Sequence, residues 1–284
     1  MALDARGIIS VIQVIVFVPI FFVALFLTFR HGFKRQAGWI FLLIFSIVRI
    51  VGGVMLVVAE SLKNPSTAVF ITAFVLESAG LSPLLFATWG FLQSVDLYAQ
   101  TGLPISNRHW RILGFLLAVG LVLAIIGGID ESSSSLSTQN TGATFRKISS
   151  LLFLGVFIIL VSIHFLLWSK KSKILLHRRT LLVGISAALP FLFIRVVYSA
   201  LSSFAPNTLG GSSLLVHNSL SKFNTVSGSW EIYLTMSLLV ELITVLIYCG
   251  TGTLLPLQEE EKDYEGSTSK NDNMYKMSGQ AVGR

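Results

Sequence analysis

Residues 38–59 read GWIFLLIFSIVRIVGGVMLVVA, a long apolar run that contains one charged side chain, Arg49. About 20 consecutive apolar residues are enough for a helix to cross the hydrocarbon core of a bilayer. Further runs of this kind occur at roughly 8–29, 68–95, 111–129, 148–168, 181–204 and 231–254. The sequence therefore predicts an all-α, polytopic membrane protein built as a bundle of seven transmembrane helices.

The composition excludes several other classes of protein. Hydrophobic residues make up 53% of the 284 residues and charged residues 12%, against roughly 25% charged in an average soluble protein. The net charge of +7 comes from short basic clusters between apolar runs, so it does not indicate a nucleic-acid partner. The single cysteine, Cys249, excludes a disulfide framework. The sequence has no phosphate-binding loop, nucleotide fingerprint or metal motif, and we expect neither a metal nor a cofactor.

Lysine and arginine residues predict the orientation of the chain, because cytoplasmic loops carry an excess of both. The odd-numbered loops are the more basic, with Arg30, Lys34 and Arg35, then Arg108 and Arg111, then Lys170, Lys171, Lys173, Arg178 and Arg179. The fourth loop, which holds Arg146 and Lys147 on this assignment, faces the lumen or exterior. We therefore expect residues 1–257 to form the transmembrane domain, with the N-terminus outside or lumenal. Residues 258–284 would be a disordered cytoplasmic tail. The membrane would be the endoplasmic reticulum or the plasma membrane.

Four ionisable residues lie well inside predicted helices: Arg49, Glu77, Arg195 and Glu241. Each lies about ten residues from the outer end of its helix, or roughly 13–15 Å deep at 1.5 Å per residue. A charge at mid-bilayer costs about 2.5–3.5 kcal/mol even on lenient scales. Two arginines and two glutamates at one level make a neutral set, and we expect each arginine to lie within ion-pair reach of a glutamate.

Two interpretations of these charges stay open at the level of sequence. They could form structural ion pairs, from the second helix to the third and from the sixth to the seventh. Alternatively, they form the floor of a polar cavity open to the outer side, lined by Ser78, Ser82 and Tyr198. Aromatic residues could cap that pocket or lie in the interfacial belt, namely Trp89, Trp230 and Tyr233. His164 is expected to be a packed histidine, and kinks are expected at the prolines inside helices, Pro19, Pro83 and Pro190.

The segment FIRVVYSAL, residues 193–201, resembles the sixth helix of a group of uncharacterised fungal seven-helix integral membrane proteins. The later helix with Val240 and Glu241 at its centre and the acidic tail fit the same resemblance. Comparable fungal proteins are the membrane-bound meroterpenoid cyclases of the ascofuranone and macrophorin type. The resemblance implies cyclisation of a prenylated chain in secondary metabolism, begun by protonation of an epoxide or alkene. No catalytic motif of those cyclases is matched residue by residue, so no catalytic role is carried over.

The chemical requirements of a cyclase also point to residues of this sequence, independently of the family resemblance. The reaction needs a strong acid, a dry pocket and aromatic faces that stabilise carbocations. A desolvated carboxylic acid can serve as a general acid. Glu77 and Glu241 are therefore the candidate catalytic residues, with Glu77 as the proton donor. The candidate substrate-binding residues are Arg49, Arg195, Tyr198, Ser78 and Ser82, and the partners are the lipid bilayer and a lipophilic small molecule.

Two other functions remain open. One is a receptor-like, lipid-responsive seven-helix protein. The other is a small transporter of a lipid or solute, suggested by a short internal sequence similarity between residues 48–51 (VRIV) and 194–197 (IRVV). Each of these two segments precedes a helix with a central glutamate. This favours two parallel repeats of three helices with a single helix between them.

Overall fold

The computed structural model of the protein describes residues 5–31, 38–62, 67–97, 106–133, 135–205, 219–224 and 228–255. Within these ranges the chain is helical and contains no strand. The predicted tail, 258–284, and the predicted loop residues Lys34 and Arg35 lie outside the described residues.

Nine α-helices occur in the described ranges. They are α1 (Ala5–His31), α2 (Gly38–Ser61), α3 (Thr67–Ala79), α4 (Leu81–Leu97), α5 (Asn107–Asp130), α6 (Leu136–Ser169), α7 (Leu176–Phe204), α8 (Trp230–Tyr233) and α9 (Val240–Leu254). A π-helical turn, Leu234–Leu239, joins α8 to α9, and short 3₁₀ turns cover Lys171–Lys173 and Ser219–Phe223. Seven segments of this part of the chain are long and apolar enough to cross a membrane, which confirms the predicted all-α class and number of spans.

The third span, made of α3 and α4, lies at the centre of the bundle. Its α4 half contacts α2, α5, α6 and α7, and most of its side chains are buried. The bundle closes where α1 packs against α9. Large apolar side chains on the outer faces stay exposed, among them Phe22, Phe115 and Phe165. A bilayer would cover these side chains, since lipid chains are as apolar as the side chains themselves.

The predicted third helix is interrupted in its middle. The sequence predicts one run over 68–95, but α3 ends at Ala79 and α4 begins at Leu81, with Gly80 in a turn between them. Pro83 then lies in the first turn of α4, where its missing N–H has no helical acceptor to lose. Pro19 and Pro190 lie inside the continuous helices α1 and α7.

The predicted boundary between the fourth loop and the fifth span is wrong. We expect the helix to begin near residue 148, yet α6 begins at Leu136, so Arg146 and Lys147 lie inside a helix. Hydropathy marks only where a helix enters lipid, and a helix of mixed polarity can extend beyond that level. The consequence for function is that Arg146 is a side chain of the bundle.

Candidate functional site

The four ionisable residues inside the predicted spans lie together in the middle of the bundle, and we call them the charge quartet: Arg49, Glu77, Arg195 and Glu241. Their exposed fractions are 1%, 9%, 3% and 0%. Arg49 Nη1 lies 3.6 Å from Glu77 Oε1, and Arg49 Nη2 pairs with Glu241 Oε2. Arg195 Nε donates to Glu241 Oε1. The predicted ion-pair reach of each arginine to a glutamate is therefore confirmed.

The two glutamates have different surroundings. Glu241 uses both carboxylate oxygens, one on each arginine, so it links the second, sixth and seventh spans. Glu77 accepts a hydrogen bond from the Tyr233 hydroxyl and otherwise faces Arg49 at the longer distance. The contact between Arg49 and Glu241 adds to the pairing expected from sequence. Glu241 is thus the enclosed anion of the quartet, and Glu77 is the less enclosed one.

The third and seventh spans both depart from α-helix beside the quartet. Gly80 is the break in the third span, and a Cβ at this position would lie 2.9 Å from Arg49 Nη2. A methyl group at this position would force the Arg49 guanidinium to shift, so glycine allows the guanidinium to lie close to the backbone at the break. In the seventh span the π turn Leu234–Leu239 directly follows Tyr233. Single π turns inside α-helices occur frequently at functional sites.

A small cavity with many hydroxyl groups in its lining, together with the apolar side chains of Ala124 and Phe153, lies against one side of the quartet. Its volume is about 40 Å³, which is room for a few water molecules. Glu77, Arg195, Tyr198 and Tyr233 line it together with a set of serines: Ser149, Ser150, Ser199, Ser202, Ser203 and Ser237. The serines come from α6, from the end of α7 and from the π turn. The cavity therefore lies toward the end of the bundle where α5 passes into α6.

An ion pair at the rim of this cavity joins three helices. Arg146 Nη1 donates to Glu131 Oε2 at 2.6 Å, and its Nη2 donates to the Ser202 carbonyl at 2.5 Å. Burial raises the pKa of Glu131 above its usual value, and the positive charge of Arg146 opposes this effect. Sequence reasoning missed Arg146 because it placed this residue in a loop. The spacing of Gly142, Arg146 and Ser149 was the available signal, since residues three and four apart share one helix face.

The structure places the remaining predicted site residues in different surroundings. Tyr198 lines the cavity, and the Arg195 guanidinium lies 5.6 Å from its ring centroid. Ser82 does not line the cavity. It is buried and donates to the Ala79 carbonyl at 2.8 Å, next to the break at Gly80. The side chain of Ser78 lies outside the described part of the structure. His164 is buried, with Nε2 2.9 Å from Ser186 Oγ, in agreement with a packed histidine.

Comparison with known protein families matches residues 3–259 to the model of DUF7702, a domain of unknown function. The chain belongs to the DUF7702 family. No curated protein and no solved structure matches it. The matched region includes all seven spans, but no activity is known for the DUF7702 domain. The resemblance to fungal proteins and to meroterpenoid cyclases therefore stays a prediction.

Proposed function

We propose that this DUF7702 protein is a transporter of a small polar solute, and that the solute binds in the cavity beside Glu77. The observation that carries the proposal is that two spans depart from α-helix beside the buried quartet, at the break at Gly80 and at the π turn Leu234–Leu239. Interrupted helices near the bilayer midplane are the usual place for solute and coupling-ion sites in transporters.

Because the two glutamates of the quartet differ in their surroundings, protonation of Glu77 alone would give the protein two states. Glu77 lines the cavity, whereas Glu241 is fully buried between both arginines. A proton that reaches Glu77 from the cavity would cancel its attraction to Arg49. The other three charges would stay paired through Glu241. Protonation of Glu77 can therefore loosen the third span from the second without dismantling the quartet, and we expect transport to be coupled to protons.

The lining of the cavity indicates the class of solute. Serine and tyrosine hydroxyls both donate and accept hydrogen bonds. The buried Ser237 hydroxyl on the π turn has no hydrogen-bond partner in the described part of the chain. A hydroxylated solute, such as a polyol or sugar, could satisfy such groups. The cavity holds only a few water molecules in this conformation, so it is too small for a polyol or sugar. Binding of such a solute requires the rim at Arg146 to open.

The proposal also includes the orientation of the chain in the membrane and the identity of that membrane. The excess of lysine and arginine in odd-numbered loops favours an N-terminus outside or in the lumen and a cytoplasmic C-terminus. The cavity would then face the lumen or exterior, in the endoplasmic reticulum or the plasma membrane.

The transporter proposal is tested with purified protein in two stages. Thermal unfolding in detergent is measured against a panel of polyols, sugars and amino acids, because a bound solute stabilises the native state. Uptake of each stabilising solute into proteoliposomes is then measured with and without a pH gradient. Glu77→Gln should remain folded and lose the effect of the gradient, and Glu231→Gln, an exposed acid on α8, is the matched control. A panel without any transported solute, or a Glu77→Gln protein that keeps its response to pH, would refute the proposal.

A cyclase is the second candidate, and one observation favours it. Of the two candidate acids, Glu77 lines the cavity and Glu241 does not, which agrees with the choice of Glu77 as proton donor. In that reaction Glu77 would protonate an epoxide oxygen of a prenylated substrate, the C–O bond would open, and an alkene would attack the cationic carbon. The new carbocation would then lose a C–H proton, which leaves an alkene and a hydroxyl in the product and restores the acid at Glu77, so that the reaction is a net isomerisation. The cavity would have to enlarge toward the bilayer to admit such a substrate.

The cyclase is tested in microsomes supplied with a prenylated epoxide, with product detected by mass spectrometry. Turnover by the unmodified protein that is lost by orders of magnitude in Glu77→Gln would support it. Absence of turnover by the unmodified protein would leave the transporter as the better description.

A further inference from the structure

A second concave surface lies between α6 and α7, on the outside of the bundle, and we call it the α6–α7 groove. Its volume is about 540 Å³, within the range of small-molecule sites. Its lining is apolar and rich in aromatic rings, with Phe157, Val161, Phe165, Trp168, Pro190 and Phe193. It is separate from the quartet, and the proposed transport function does not use it.

One wall of this groove is fixed in place by hydrogen bonds. Trp168 Nε1 donates to Ser186 Oγ at 2.7 Å, and Ser186 Oγ lies 2.9 Å from His164 Nε2. These contacts tie the indole on α6 to α7. The aromatic wall is therefore preorganised, which lowers the entropic cost of binding a flexible molecule against it.

Positive charge lies at the end of the α6–α7 groove. The Lys171 ammonium is exposed and lies 5.5 Å from the centroid of the Trp168 ring. Arg179, also exposed, donates to the carbonyls of Ile174 and Ser172 at 2.7 and 2.9 Å, which holds the connection between α6 and α7 folded. The sequence has no aspartate or glutamate between residues 131 and 231. The connection therefore has cations without neighbouring acids in its own stretch of chain.

Arg178 has a different role from these two cations. It is buried and donates to the carbonyl of Ser94 at 3.4 Å and to the Ser94 hydroxyl. It therefore fastens α7 to α4 inside the bundle, so it does not belong to the exposed cations of the connection, which include Lys171 and Arg179.

We propose that the α6–α7 groove binds an anionic phospholipid, with an acyl chain against the aromatic wall and the phosphate at Lys171 and Arg179. An aromatic wall that continues into exposed cations matches a molecule with an apolar chain and a negative head. Basic pockets on the cytoplasmic side of membrane proteins bind anionic head groups, and the proposed orientation places this connection in the cytosol.

The test uses the full chain in vesicles that contain phospholipids with brominated acyl chains, which quench nearby tryptophan fluorescence. The signal of Trp168 is obtained by difference from a Trp168→Phe protein. Brominated phosphatidylserine should quench Trp168 at lower mole fraction than brominated phosphatidylcholine. Lys171→Gln should reduce this preference about fivefold, the factor for one basic residue at an anionic surface, and Lys171→Arg should retain it.

The matched control is Lys147→Gln. Lys147 lies 5.8 Å from the centroid of the Phe204 ring at the opposite end of α6, so it has a similar contact away from the groove. It should leave the preference unchanged, while Val161→Phe, which fills the groove, should remove the quenching of Trp168 by both lipids. Equal quenching by the two phospholipids, an equal loss in Lys147→Gln, or stronger quenching by a brominated sterol would overturn the proposal.

Discussion

Replacement of Glu241 by glutamine should be the most destabilising single change in the quartet. Glu241 is 0% exposed and holds Arg49 with one oxygen and Arg195 with the other. Its loss would leave Arg195 without its carboxylate and Arg49 with Glu77 alone, 3.6 Å away. Removal of one partner from a buried ion pair costs about 3–5 kcal/mol. We expect a loss in this range in the free energy of unfolding.

The same change at Glu77 should cost much less. After Glu77→Gln both arginines still contact Glu241, and the new amide oxygen can accept the Tyr233 hydrogen bond. The lost contact is the longer ion pair, so we expect a loss of about 1–2 kcal/mol, near that of one buried hydrogen bond. Both variants keep the shape of the side chain and remove one negative charge. The comparison therefore isolates the position of the charge.

Reversible unfolding by SDS in mixed micelles measures both free energies, with helix content followed by circular dichroism. A double-mutant cycle between Arg195→Gln and Glu241→Gln should give a coupling energy well above the roughly 0.5 kcal/mol of non-additivity seen for independent sites. If Glu77→Gln proves at least as destabilising as Glu241→Gln, the assignment of Glu241 as the central anion is wrong.

Three further predictions concern the break, the rim and the topology. Gly80→Ala places a Cβ 2.9 Å from Arg49 Nη2 and should destabilise the protein by about 1–3 kcal/mol in the same assay, whereas Gly155→Ala, with no atom within 4 Å of the added Cβ, should not. Burial raises the pKa of Glu131, so the folded state binds its proton more tightly and stability should fall as pH rises above 4.5. Glu131→Gln should flatten that fall in thermal unfolding curves between pH 4 and pH 8. A glycosylation reporter fused after Gly283 should remain unmodified, and a modified reporter would reverse the orientation.

The spans and the quartet could be predicted from sequence because both follow from the cost of transfer into lipid. Apolar length sets the number of spans, and a charge inside such a run must find a partner. Arg49 and Glu241 were therefore conspicuous even without knowledge of the packing. What hydropathy could not give was the pairing itself, since the contact between these two residues depends on the second and seventh spans being neighbours.

The cavity was only partly predictable. Arg146 and the serines of α6 lie just beyond the apolar run, where a polar stretch reads as a loop although the helix continues. Tyr233 is compatible with an interfacial belt by sequence, and its contact with Glu77 depends on the π turn that follows it. Ser82 was expected in the lining, but the break at Gly80 turns its hydroxyl to a backbone carbonyl.

The position of Glu241 in the last span has a consequence for biogenesis. As the chain leaves the ribosome, Arg49 meets Glu77 one span later, but Arg195 enters the membrane before the span that carries its carboxylate has been made. Of the quartet, a chain that stops before Trp230 thus holds two arginines and one glutamate. Addition of the seventh span supplies the second glutamate and removes this excess charge, so we expect a chain truncated before Trp230 to be less stable in a bilayer.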